Sequence, residues 1–112
     1  KLKFGLDWKN YMGDNMEILY KDNELEIQSY DFIAEYSYGM VDFFIYYKGI
    51  GYSCSAFCLN DVGKIISQES FFWSIGSIIL KEITKESIVN AVLCIVSDES
   101  LCLDDIFVRL DD

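Results

Sequence analysis

The run Met40-Val41-Asp42-Phe43-Phe44-Ile45-Tyr46-Tyr47-Lys48-Gly49-Ile50-Gly51-Tyr52-Ser53-Cys54-Ser55-Ala56-Phe57-Cys58 decides the fold. Aromatic and β-branched side chains are dense on both sides of Lys48-Gly49-Ile50-Gly51, which has turn chemistry, so Met40–Tyr47 and Tyr52–Cys58 read as two central strands of a hairpin. From Val41 to Tyr47 both alternating sets are largely apolar. Such a strand is covered on both sides, or covered on one and recognising something on the other.

Upstream, Met16–Lys21 and Glu24–Ser29 flank Asp22-Asn23, a dipeptide that tolerates turn dihedrals. The second run alternates Glu24, Glu26 and Gln28 with Leu25 and Ile27, which predicts a hairpin with one wet face. The opening segment supports two readings: Leu2, Phe4, Leu6 and Trp8 alternate as a strand does, while Phe4, Trp8, Tyr11 and Met12 fit a helical stripe.

Downstream of Asn60-Asp61, read as an N-cap pair, the apolar period turns helical through Val62, Ile65 and Ile66, and again through Phe72, Ile75 and Ile79; Gly63 and Gly76 weaken both stretches. The clearest helix starts after Thr84, which caps it, and carries Ile88, Val89, Val92, Leu93 and Val96 on one stripe before Ser97-Asp98-Glu99-Ser100. Leu101–Leu110 reads as a short strand or extended tail. Strands come first and helices after. The expected fold is therefore α+β, an antiparallel sheet of about four to five strands packed against about two or three helices in the C-terminal half. With 112 residues, 52% hydrophobic content and no proline, linker or repeat, residues 1–112 form one domain.

Nineteen acidic side chains stand against nine basic ones with no histidine, a formal charge of -10. That balance argues against nucleic-acid phosphates or anionic lipid as partners and leaves a basic partner, or none. A mean hydropathy of +0.17 beside such charge belongs to a folded chain with acids on its surface. Lacking histidine, the chain has no Ser-His-Asp or Cys-His arrangement and no imidazole metal site. Cys54, Cys58, Cys94 and Cys102 lack paired C-x2-C spacing and read as buried, reduced thiols of a cytoplasmic protein. No signal segment or long apolar run is visible.

Carboxylate pairs are the only acid–base material: Glu24-x-Glu26, Asp104-Asp105 and Asp111-Asp112. A solvated strand face explains the first pair better than Mg2+, and Arg109, the one arginine, pairs locally with Asp105 or Asp111. No phosphate loop is present: Gly49-Ile50-Gly51 lacks a third glycine and a following helix. No cofactor, metal or catalytic residue is assigned, and the chain reads as a non-enzyme. Charge and aromatics remain. Between Asp14 and Asp42 lie eight acids against Lys21 alone, interleaved with Tyr20, Tyr30, Tyr36 and Tyr38, and a second acidic stretch runs from Asp98 to Asp112. Tyrosine beside carboxylates suits a protein-binding surface, in which aromatic area supplies affinity and charge supplies steering; solubility is the competing explanation. The candidate partner-binding residues are Glu24, Glu26, Asp31, Glu35, Tyr36, Tyr38, Tyr46, Trp73, Asp104 and Asp105.

A small, acidic, histidine-free chain rich in Tyr, Phe, Ile, Asp and Glu resembles the immunity proteins of bacterial polymorphic toxins, including those of contact-dependent growth inhibition. The resemblance is one of overall character across the chain, and the run Asp42-Phe43-Phe44-Ile45-Tyr46-Tyr47 assigns no particular immunity family. It implies tight binding to a cognate toxin domain, often a basic nuclease, with its active site or substrate surface blocked. An acidic DNA mimic that inhibits a nucleic-acid enzyme and a subunit of a larger assembly are the alternative readings.

Overall fold

The computed structural model describes residues 16–30 and 40–110. Within them the order is β1 (Met16–Lys21), β2 (Leu25–Tyr30), β3 (Met40–Tyr47), β4 (Ile50–Cys58), α1 (Leu59–Glu69), β5 (Ser77–Leu80), α2 (Lys85–Val96), α3 (Leu103–Ile106) and β6 (Val108–Arg109). The strands form one sheet in the order β1-β2-β3-β4-β5, with β6 also paired to β4. The expected α+β class holds, with every described helix after the central hairpin.

Asp22 closes the first hairpin. Its Oδ1 accepts from the backbone N–H groups of Glu24 and Leu25, both at 2.8 Å, and the Tyr20 hydroxyl donates to Oδ2 at 2.8 Å. This is the local side-chain turn that aspartate makes readily. A register shift between Ile18 and Tyr20 adds a bulge to β1, and both Leu19 and Tyr20 pack against the core. In the central hairpin Lys48 and Gly49 have φ of 52° and 83°. Two successive positive φ values give the tight turn whose twist suits paired strands. The turn is therefore shorter than the four residues read from sequence, and β4 begins at Ile50.

Three further expectations are corrected. First, β5 runs parallel to β4, with Ser55 opposite Ser77 and Cys58 opposite Leu80, because α1 and the segment after it form a crossover connection. Second, Asn60 and Asp61 do not cap α1: Cys58 holds the N-cap position without a side-chain hydrogen bond, and Asp61 lies in the first turn. The helical period through Phe72, Ile75 and Ile79 falls instead on a loop and on β5. Ser70, at φ 77°, ends α1, and Gly76, at φ 58°, turns the chain into β5. Third, Leu101–Leu110 contains the single turn α3 followed by the two-residue β6, rather than one extended run. The Thr84 cap is present as a reciprocal pair: Ser87 N–H donates to Thr84 Oγ1 at 3.0 Å and Thr84 N–H donates to Ser87 Oγ at 2.9 Å.

Register assigns the faces. Leu25, Ile27, Phe43, Ile45, Tyr52, Cys54, Ala56 and Cys58 lie on one face and are buried under Ile83, Ile88, Val92 and Phe107. Each large apolar side chain removed from water here contributes roughly 1.5–3 kcal/mol before entropy opposes it. The other face, called outer below, carries Glu26, Gln28, Asp42, Phe44, Tyr46, Ser53, Ser55 and Phe57. It is not uniformly wet, as the alternation in β2 suggested: Glu26 is half-buried and Gln28 is only 5% exposed. The thiols also divide. Cys54 and Cys58 are buried on one face of β4, whereas Cys94 and Cys102 are exposed; all four are free.

Candidate docking surface

On the outer face, Phe57 meets Phe72 edge-on at 5.0 Å between ring centroids, and Ser55 N–H donates to the Gly76 carbonyl at 3.0 Å. These contacts fix the crossover segment 70–76 to the sheet. Side chains beside and between the anchors are left outside: Phe71, just before Phe72, is 64% exposed, Trp73 72% and Ile75 70%. Val108 on β6 is exposed as well. A β-carbon on Gly76 would stand 2.6 Å from Val108 Cγ2, so the segment and β6 approach as closely as glycine permits.

Where they meet, a shallow pocket of about 250 Å3 opens, lined in part by Asp42, Phe44, Ser53, Ser55, Ile75 and Val108. Ser55 Oγ donates to Asp42 Oδ1 at 2.6 Å across the β3–β4 pair, which orients the carboxylate. Burial, and secondarily the charge of Asp42, push the Cys54 thiol up to about 12. A thiol held protonated is a poor nucleophile.

The residues read from sequence fall in separate places. Glu24 is exposed at the end of the first turn. Glu26 sits on the outer face opposite Tyr46 and accepts from Gln28 Nε2 at 2.6 Å. Tyr46 is half-buried, with its ring against Gly51, where a β-carbon would come within 2.9 Å of Cε1. Burial, and secondarily the Glu26 charge, raise its hydroxyl above the usual tyrosine range. Trp73 stands exposed in the crossover segment. Asp104 and Asp105 are exposed on α3, and Arg109 pairs with Asp104 at 3.4 Å, not with Asp105. Asp104 also acts after burial to raise the pKa of Tyr52, which belongs to the core face. Glu26 and Asp104 thus belong to different faces and form no common patch. Asp31, Glu35, Tyr36 and Tyr38 lie outside the described residues, as does Asp111.

Sequence reasoning did not single out Phe71, Ile75, Val108 or the Asp42–Ser55 pair as a site. The available signal was Phe71-Phe72-Trp73 between Ser70 and Ser74, an aromatic run bounded by turn-forming residues. Comparison with protein-family models, curated proteins and solved structures finds no match. Among the described residues no group of three or more His, Cys, Asp or Glu is placed to hold a metal, and no helix is long and apolar enough to cross a membrane.

Proposed function

We propose that this chain is a non-enzymatic inhibitor of the immunity-protein kind, acting in the cytoplasm, that binds and neutralises a basic bacterial toxin domain, such as a nuclease. The observation that carries the reading is the set of exposed apolar side chains Phe71, Trp73, Ile75 and Val108, of which Ile75 and Val108 line one pocket with Asp42, on a protein of charge -10. Exposed apolar residues grouped with a charge mark an interaction surface more often than isolated ones do. Tryptophan is the side chain most enriched among residues that dominate binding energy, and surrounding carboxylates accelerate encounter with a basic partner. An acidic protein seated on a phosphate-binding cleft blocks it without any chemistry of its own.

The test is affinity capture from the native organism at about 0.5 M salt, where attraction between exposed charges is largely screened. The captured protein is then expressed in bacteria with and without this chain. A stoichiometric basic domain that arrests growth alone, and not when co-expressed, supports the proposal. An empty bait overturns it, as does an assortment of nucleic-acid enzymes displaced by duplex DNA. Trp73→Ala then weakens the complex roughly thirtyfold with the melting temperature unchanged.

A further inference from the structure

We infer that the pocket between β3, β4, β6 and the crossover segment is a receptor for one arginine side chain presented by the partner protein. The inference rests on the functional proposal that the outer face docks a basic protein, and it names the group that enters.

Three features converge on a guanidinium. The first is size: about 250 Å3 is below the roughly 300–1,000 Å3 of small-molecule sites and suits a single long side chain. The second is the arrangement of polarity. The exposed carboxylate of Asp42 shares the lining with Ser53 and Ser55 and with the side chains of Phe44, Ile75 and Val108, so a long aliphatic stem can lie on the apolar part while its charged end meets the acid. Arginine has that shape, and its planar fork matches a carboxylate better than the point charge of lysine. The third is preorganisation. Ser55 fixes Asp42 Oδ1 at 2.6 Å, and among the described residues no cation neutralises this carboxylate, since the ion pairs found there are Lys85 with Glu17 and Arg109 with Asp104. The negative field is felt locally, because Asp42 contributes to the raised pKa of neighbouring Cys54. A carboxylate that waits without a cation gains more from a partner's charge than one already paired.

The probe is the peptide acetyl-Leu-Arg-Leu-amide, titrated into the isolated 15N-labelled chain and followed by amide shifts. Its control carries citrulline, a neutral isostere, in place of arginine. Saturable shifts confined to Ser53, Ser55, Gly76 and Val108 are expected, with the Kd raised at least fivefold by citrulline. Asp42→Asn keeps an acceptor for Ser55 and is expected to raise the Kd for the arginine peptide by a similar factor. Ile75→Ser, at a position 70% exposed and so harmless to folding, weakens both peptides about equally. Equal affinity for the arginine and citrulline peptides, shifts spread over the acidic surface, or an Asp42→Asn variant that binds as well as the parent overturns the inference. These outcomes are read without the partner, so an empty affinity capture defeats the functional proposal alone, and a failed titration defeats the pocket alone.

Discussion

Gly76 is the position at which the candidate docking surface and the stability of the fold are tied together, and replacing it with alanine tests the geometry. Its φ of 58° is left-handed, and the added methyl would meet Val108 Cγ2 at 2.6 Å. The conformation alone costs a non-glycine residue about 1–2 kcal/mol. Forcing β6 or the crossover segment to yield adds about 1–3 kcal/mol as overpacking. Gly49→Ala is the internal control: Gly49 also has positive φ, at 83°, but no atom stands within 4 Å of the place a methyl would take there, so only the backbone cost applies. In urea unfolding, with a slope of about 1.5 kcal/mol per molar, Gly76→Ala should lower the midpoint by roughly 2 M and Gly49→Ala by roughly 1 M. Val108→Ala removes the clashing methyl, so the double variant Gly76→Ala/Val108→Ala should recover most of the difference. Equal losses at Gly76 and Gly49, or no recovery in the double variant, would refute the close approach of segment 70–76 to β6.

Thr84→Ala removes one half of the capping pair at α2 and should cost about 1 kcal/mol, measured as a lower melting temperature, while Thr84→Ser should be close to neutral. A thiol reagent at pH 8 should label Cys94 and Cys102 within the mixing phase and reach Cys54 and Cys58 only when the protein unfolds; labelling of all four at one rate would contradict the burial of β4. The raised pKa of Cys54 also sets an alkaline limit. The thiol ionises near 9 when unfolded and near 12 when folded, so its contribution is intact below about pH 9 and declines as pH rises towards 12. Denaturation followed from pH 8 to pH 11 should show that decline, and Cys54→Ala should make it shallower, most clearly below pH 10, where the raised Tyr46 and Tyr52 hydroxyls do not yet contribute.

How much of this was legible depended on whether a signal was local. The hairpin at Asp22-Asn23 was readable because aspartate makes its turn with its own neighbours, and α2 because its apolar stripe coincides with a threonine cap. The parallel pairing of β5 was not, since strand direction is set by how the crossover returns to the sheet and leaves no mark in Ser77–Leu80 itself. Phe72, Ile75 and Ile79 carried a helical period by coincidence. Two left-handed residues, Ser70 and Gly76, override it, and a serine in that conformation is not foreseeable from a hydrophobic pattern. The candidate surface shared this limit. Trp73 could be named from composition, but Asp42, Ile75 and Val108 are distant in sequence and meet only through the pairing of β3, β4 and β6.

The division between the two faces of β3 bears on why Asp42 is there. Phe43 and Ile45 are fully buried on the core face, and any polar change there would undo the packing with Ile88 and Val92. At Asp42, on the other face, the fold makes no such demand, because opposite it stands Ser55, not a buried apolar side chain. Aspartate is among the residues least suited to a strand interior, and threonine or valine would support this one better. A residue that works against the local preference of its own strand, held by one cross-strand hydrogen bond and bordered by the exposed Ile75 and Val108, is one that the proposed recognition role accounts for better than strand stability does. The local preference of β3 is broken at Asp42, so a test of the proposed partner starts at Asp42 and the crossover segment.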